Sequence, residues 1–301
     1  MIRRILVTGA EGPAGAALIG QLRARGHRVH GADMAPVYRS PYPVHRLPAA
    51  DHPGLVPALR DLVRDEHIDV LVPTVSEELP YLAAATDDLR GVQVVIGPQS
   101  AVRAADDKLA TALLLRSADV PVPRFALPSQ FATGADAAAA WGGGPVVVKP
   151  RVSRGGRGVT LFTADQAHTW ASVDDRQLVQ EFAPGTEYAP VLYQPAGADP
   201  DGGTCVVLEK VALAQGQVGN ALQVRRVHAP DVTAVAQATV AALQLTGPVD
   251  IDVRRDRLGQ PVVLEVNARF GANSAAAPEL VEAMLTDLAA TDQTCLEGVW
   301  G

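Results

Sequence analysis

Over its first hundred residues the chain alternates short apolar runs with stretches whose apolar residues recur at helical spacing. The runs fall at residues 5–8, 29–33, 70–73 and 92–96, and the helical stretches at 13–25 and 55–64. Apolar runs without polar alternation are the mark of strands covered on both faces, so this part predicts a parallel α/β sheet. Pro13 in the first turn and Gly26 just past the last fix the ends of the first helix. Residues 101–117 read as one helix, which Val120-Pro121-Val122-Pro123 converts into an extended connection. Beyond it, strands are expected at 146–148, 159–162 and 178–182, with a helix over 164–171. Strands at 191–193, 205–214, 221–227, 249–253 and 262–266 follow, with helices over 231–245 and 278–290 and a Pro/Gly/Asp-rich loop at 194–203. The expected organisation is an α/β domain over 1–105, a small α+β unit over 106–183 and a larger one over 184–301.

Composition narrows the function more than the fold. With 301 residues, 48% of them hydrophobic and 20% charged, there is material for more than one core. A net charge of -7 without basic blocks argues against nucleic acid or an anionic membrane as partner, which leaves small molecules. No apolar run approaches the ~20 residues that span a bilayer, and Glu11 and Pro13 interrupt the opening apolar stretch before it could act as a leader. Cys205 and Cys295 lie far apart with no metal or pairing pattern, so a reducing, cytoplasmic setting is expected.

Of the 26 basic residues only three are lysines. A compact ammonium serves as a point charge for phosphate, so a lysine retained among arginines is informative. Lys149 ends the apolar run 145–148 and precedes Ser153-Arg154-Gly155-Gly156-Arg157-Gly158-Val159, an order that reads as strand, lysine, glycine loop, strand. Such a loop can turn several backbone N–H groups onto phosphate oxygens. Lys108 is the second candidate for a phosphate, while Lys210, in the apolar run around Val207 and Val211, reads as an edge-strand charge. Asp252, Glu265 and Asn267 lie on two apolar runs; Glu265 and Asn267 share a strand face, and a neighbouring strand would bring Asp252 beside them. Three oxygen ligands suit one or two Mg²⁺ ions, with Mn²⁺ as a substitute. Asp250 competes with Asp252 for that role. Arg269 and either Arg225 or Arg226 could stabilise charge on a transferring phosphoryl group. The turn from Gly9 to Gly15 with Asp33 has dinucleotide-fingerprint spacing, but no tyrosine is followed by a lysine four residues on, as the resembling reductases require. Glu77 and Glu78 follow a strand end, where open α/β sheets bind ligands. The seven histidines show no metal-ligand spacing.

Taken together, Lys108, Lys149-Pro150, the glycine loop, Gln180-Glu181-Phe182 with Glu187, and Asp252, Glu265 and Asn267 resemble the ATP-grasp enzymes over residues 100–275. The first segment resembles the domain preceding that fold in carbamoyl-phosphate synthetase-like members. The resemblance implies a Rossmann-like domain followed by a two-subdomain ATP-grasp fold. It also implies that Lys108, Lys149, Ser153, Gly155, Gly156, Arg157 and Gly158 hold ATP phosphates. Glu181, Phe182 and Ala183 would hold adenine, Glu187 the ribose, and Asp252, Glu265 and Asn267 Mg²⁺. The activity it implies is ADP-forming ligation of a small-molecule carboxylate to an amine through an acyl phosphate, by a protein that could be a homodimer. Two other readings stay open: a carboxyphosphate-forming enzyme like carbamoyl-phosphate synthetase, against which a single ATP-grasp unit counts, and a nicotinamide-dependent epimerase or reductase.

Overall fold

In the first strand, β1 (Arg4–Thr8), Ile5, Leu6 and Val7 are all fully buried because both sides of the strand are covered. Ile5 and Val7 pack against Leu18, Ile19 and Leu22 of α1 (Pro13–Ala24). Leu6 faces the other way, onto Leu55 and Leu59 of α2 (Leu55–Asp65). Around β1 lie β2 (Arg28–Asp33), β3 (Val44–Arg46), β4 (Val70–Val72) and β5 (Gln93–Val94), in the order β3-β2-β1-β4-β5. Every pairing is parallel, as the unbroken apolar runs require. The computed structural model describes residues 1–35, 40–153, 155–163, 170, 172–214 and 221–297, so Arg154 and most of the helix expected over 164–171 lie outside the described residues.

A second sheet, ordered β12-β11-β10-β13-β14, is antiparallel throughout. Its strands are β10 (Glu187–Gln194), β11 (Thr204–Leu213), β12 (Ala221–Arg226), β13 (Gly247–Arg255) and β14 (Pro261–Asn267). One face packs on α7 (Pro230–Leu243) through Val232, Ala236 and Val240. Val191 and Leu208 on this sheet share a core with Ile5 of the first sheet, with Leu18 of α1 and with Leu280 and Met284 of α8 (Glu279–Glu297). The two sheets are therefore joined through apolar contact rather than a linker alone. A third, four-stranded sheet has the order β6-β9-β7-β8, from β6 (Phe125–Ala126), β7 (Val146–Pro150), β8 (Thr160–Phe162) and β9 (Gln177–Glu181). It has its own core of Ala137, Val146, Val148, Phe162, Trp170 and Val179. No helix among the described residues is long and apolar enough to cross a membrane.

The helix expected over 101–117 is two helices. α4 (Gln99–Asp106) stops at Asp107, whose φ of -97° and ψ of 109° are extended, and α5 (Lys108–Ser117) starts afresh. Apolar periodicity runs through the break, so only the capping chemistry reveals it: the Asp107 carboxylate accepts from the Leu109 N–H at 2.9 Å. The same carboxylate accepts from both Nε and Nη2 of Arg151, just past β7, and the Lys108 N–H donates to the Arg151 carbonyl at 2.9 Å. Burial acts against the charge on Asp107, but the Arg151 hydrogen bonds outweigh it and hold its carboxyl below the ordinary range. One acid thus starts a helix and ties that start to the strand carrying Lys149. Asp107→Ala is expected to lower stability by about 1–2 kcal/mol in urea unfolding, with Asp107→Ser, which keeps the cap but not the ion pair, falling between.

Candidate active site

Where the three sheets meet they enclose a cleft of about 1080 Å³. This is at the upper end of small-molecule sites and large enough for a nucleotide and a second reactant. Its floor is the face of β13 and β14 turned from α7. Asp252 lies opposite Glu265 and Asp250 opposite Asn267 in the antiparallel register. Carboxylates directly opposed on neighbouring strands repel unless compensated. The compensation comes from lysines. Lys210 Nζ donates to Asp252 Oδ1 at 2.6 Å and to Glu187 Oε1 at 2.7 Å, and Lys108 Nζ lies 3.3 Å from Glu265 Oε1. Lys149 Nζ donates to Gln180 Oε1 and to the Leu264 carbonyl, both at 2.8 Å. Every lysine in the chain is thus buried in or beside this cleft.

The edge-strand reading of Lys210 is overturned by the topology. β11 lies between β12 and β10, inside the sheet, and Lys210 points to the cleft while Val211 points to solvent. That alternation reverses the usual inward apolar residue, and the rarity of lysine that marks the other two would have marked this one. Burial disfavours the Lys210 charge, but the Asp252 and Glu187 carboxylates outweigh it and raise its pKa. Lys149 has no such close acid, so burial pulls it down to about 8 against the weaker attraction of Glu265. Burial raises Glu187 despite Lys210, and raises Asp250 to about 6 despite Arg269. Gly271 makes room for Asp250, since a Cβ there would fall 1.6 Å from Asp250 Oδ2.

The remaining candidates separate into those inside the cleft and those outside. Gly155, Gly156 and Arg157 line it, and Gly155, Gly156 and Gly158 all have positive φ, of 63°, 69° and 72°. Ser153 accepts from Lys108 Nζ at its carbonyl, 2.9 Å away. Phe182, Ala183 and Glu187 line the cleft, with the Arg254 guanidinium 4.8 Å from the Phe182 ring centroid. Glu181 lines it too, but its carboxylate is held by two hydrogen bonds from Arg124, at 2.9 and 2.8 Å, and these keep its carboxyl below the ordinary range. Arg124 carried no sequence signal. Arg269 donates to Asn267 Oδ1 and to Ser76 Oγ, each at 3.0 Å. Arg225 and Arg226 both stand away from the described lining of the cleft: on the outermost strand β12, Arg225 pairs with Glu209 and Arg226 with Glu279. The glycine turn also borders the cleft, but the Asp33 carboxylate is used within the protein, accepting from the N–H groups of Glu11 and Ala35 at 3.0 Å.

The site suits a divalent cation in its donor set. Asp252, Glu265 and Asn267 converge as oxygen donors, and Asp250 adds a buried Oδ1 that has no hydrogen-bond partner. A carboxylate-bearing sheet facing a smaller sheet that brings a lysine and a glycine loop defines a nucleotide-gripping class of protein. Residues 105–273, more than half of the chain, match the family model of the ATP-grasp domain, and the chain belongs to that family. No curated protein sequence matches it. Among solved structures it is similar to an L-amino acid ligase from Bacillus licheniformis, with TM-score 0.68 and 18% identity over 91% of this chain and 68% of that one. It is also similar to an N5-carboxyaminoimidazole ribonucleotide synthetase from Thermotoga maritima, with TM-score 0.63 and 19% identity over 89% and 69%. A biotin carboxylase–β-γ-ATP complex from Campylobacter jejuni gives TM-score 0.67 and 14% identity over 93% and 68%. At these identities the likeness establishes the shared fold.

Replacing Lys210 by Met would leave the buried Glu187 and the half-buried Asp252 without the lysine they share, Glu187 keeping only the more distant Arg254 at 3.6 Å. The expected loss is about 3–5 kcal/mol at neutral pH. Because an unpaired carboxylate recovers by taking up a proton, the loss should shrink as the pH falls toward 5, read as converging urea midpoints of the two proteins.

Proposed function

We propose that the protein is an ATP-dependent, ADP-forming ligase that activates a small-molecule carboxylate as an acyl phosphate and joins it to an amine. The observation that carries this is the convergence of all three lysines of the chain on one acid-lined cleft, Lys108 and Lys210 against its carboxylates and Lys149 on Gln180 and the Leu264 carbonyl. On this proposal Lys108 and Lys149 would meet phosphate oxygens, with Ser153 and the backbone of Gly155, Gly156 and Gly158 as further donors; Lys149, Gly155, Gly156 and Arg157 line the cleft, and Lys108 stands beside it on Glu265 and the Ser153 carbonyl. Glu181, Phe182 and Ala183 would frame the adenine and Glu187 the ribose. Lys210 holds Glu187 and Asp252 in their rotamers. Asp252, Glu265 and Asn267 would hold one or two Mg²⁺ ions, or Mn²⁺, which when bound offset the negative charge of the phosphates.

Arg269 lies beside Asn267 and Asp250, and its guanidinium would stabilise the charge that grows on a transferring phosphoryl group. In this chemistry the carboxylate oxygen attacks the γ-phosphorus, the bond to the bridging oxygen breaks, and ADP leaves. The nucleophile, having given up the proton of its ammonium form to water, then attacks the acyl carbon as the free amine, and phosphate departs, taking with it the carboxylate oxygen it received; a second proton leaves the new amide nitrogen for solvent. No protein nucleophile is needed, so the chain's contribution is positioning and fixed charge. The arm of the cleft against the first sheet is lined by Glu11, Asp33, Asp51, Glu77 and Glu78. That excess of acids supports a nucleophile that arrives as an ammonium ion. The name of one structural neighbour, an L-amino acid ligase, points to the same kind of substrate.

Glu265→Gln removes one charge and little volume, so circular dichroism should be unchanged while ATP turnover falls at least about 100-fold; near-normal turnover in the folded variant would sink the proposal. A second test uses Lys149. With its pKa pulled down to about 8, this amine is largely neutral at pH 8.5 in the free protein, and phosphate contact should recharge it. Calorimetric titration with a non-hydrolysable ATP analogue at that pH, in buffers of different ionisation enthalpy, is expected to show uptake of up to about one proton. Lys149→Met should abolish the uptake, and buffer-independent heats in the wild type would show that Lys149 does not meet the phosphates.

A further inference from the structure

The second cluster of chemistry-bearing side chains stands away from the cleft, on the α2 side of the first sheet. His30 on β2, His45 on β3 and Glu66 at the end of α2 are far apart in sequence, which is why no histidine spacing announced them. The parallel register sets Ala32 opposite His45, so His30, two residues before Ala32, shares its face. Ala32 itself packs in the core formed with α2, which places both imidazoles beneath the end of that helix. The chain leaves α2 at Glu66, and the three side chains meet there.

Their geometry is close to that of a chelate. His30 Nδ1 lies 3.1 Å from His45 Nε2 and 3.8 Å from Glu66 Oε2, and one donor atom from each residue falls within 4.8 Å of the others. The ring planes lie within 11° of each other at a centroid separation of 5.4 Å, so nitrogen faces nitrogen edge to edge. Zinc–nitrogen bonds of about 2.1 Å at a tetrahedral angle separate two nitrogens by roughly 3.4 Å. The pair therefore needs to open by only a few tenths of an ångström and to swing both lone pairs toward Glu66. All three residues are half-buried, which leaves a side open for a water as fourth ligand.

We propose that His30, His45 and Glu66 form a binding site for a first-row transition-metal dication, with Zn²⁺ the best match to two imidazoles and one carboxylate. The site is separate from the Asp252–Glu265–Asn267 set in donor type as well as place, since that set is all oxygen and suits a harder ion. The ion would tie β2, β3 and the end of α2 together. The strand β3 leads directly into Pro48, Ala50 and Asp51 on the wall of the cleft. Metal at this site thus braces the wall of the acidic arm.

The test is titration of the chelator-treated full-length protein with Co²⁺ and then Zn²⁺. Cobalt bound by two imidazoles in a four-coordinate site absorbs strongly in the visible, whereas cobalt on the oxygen donors of the cleft absorbs weakly. The expected result is one equivalent of strongly absorbing cobalt at micromolar concentration, displaced by one equivalent of zinc and retained in Glu265→Gln. Zinc should raise the melting temperature of the wild type. His45→Gln should lose both the band and the zinc-dependent rise, and Glu66→Gln should weaken binding at least about tenfold. A wild-type protein that yields no such band with cobalt, or a His45→Gln variant that keeps it, would overturn the proposal. Melting of each variant without metal reports separately whether it folds.

Discussion

The cleft depends on one electrostatic constraint: buried lysines and the buried or half-buried acids of one sheet face are set so that each offsets the other's charge. Glu187, Asp250, Asp252 and Glu265 crowd two neighbouring regions of one sheet, and Lys108, Lys149 and Lys210 are set among them. An isolated buried charge costs several kcal/mol and would neutralise instead. Much of the surrounding structure can be read as the means of holding this set. Asp107 breaks a helix so that Lys108 opens the next one, Gly271 leaves space for Asp250, and the β13–β14 register sets Asp252 opposite Glu265 and Asp250 opposite Asn267. The lysines are divided by their company. Lys210 has two acids at hydrogen-bond distance and keeps its proton firmly, while Lys149 has an amide oxygen and a carbonyl and is easily discharged.

That division suggests how a static cluster can serve a reaction. Lys210 acts within the protein, keeping Asp252 and Glu187 in fixed rotamers, and its partners leave it little freedom. Lys149 is held by neutral acceptors alone, so an arriving anion would offer it a better partner than it has. The Lys210 side of the site is thus preorganised, while Lys149, which on the proposed function would meet phosphate, keeps positive potential that no acid of the protein takes up at hydrogen-bond distance.

Sequence patterning exposed the strands well, because apolar runs buried on both faces leave no ambiguity of period, and it located the Asp252, Glu265 and Asn267 set through strand alternation. It failed where side-chain chemistry overrides periodicity. The break at Asp107 sits inside a run of good helix formers, and β3, only three residues long, has little pattern to show. Arg225 and Arg226 attracted attention by charge, yet the topology puts them on an outer strand where Glu209 and Glu279 take them up. Asp33 carries the position of a ribose-binding acid but spends its oxygens on the turn beside it. The histidine pair became meaningful only through strand neighbours that no local window contains, and neighbours of the same kind turned Lys210, already marked by the rarity of lysine, toward the cleft.

Arg269 touches three parts of the molecule at once: Ser76 in the segment after β4, Asn267 at the end of β14, and Asp250 on β13. On the proposed function, a reactant entering the acidic arm would meet Ser76, and a nucleotide with its cation would meet Asn267. Whatever draws the guanidinium toward one end alters the partners left to it at the other. The two halves of the cleft accordingly share a single mechanical and electrostatic joint, and linkage requires that any help the first ligand gives the second be returned in equal measure. Order of addition would then be a property of this one side chain as much as of either pocket.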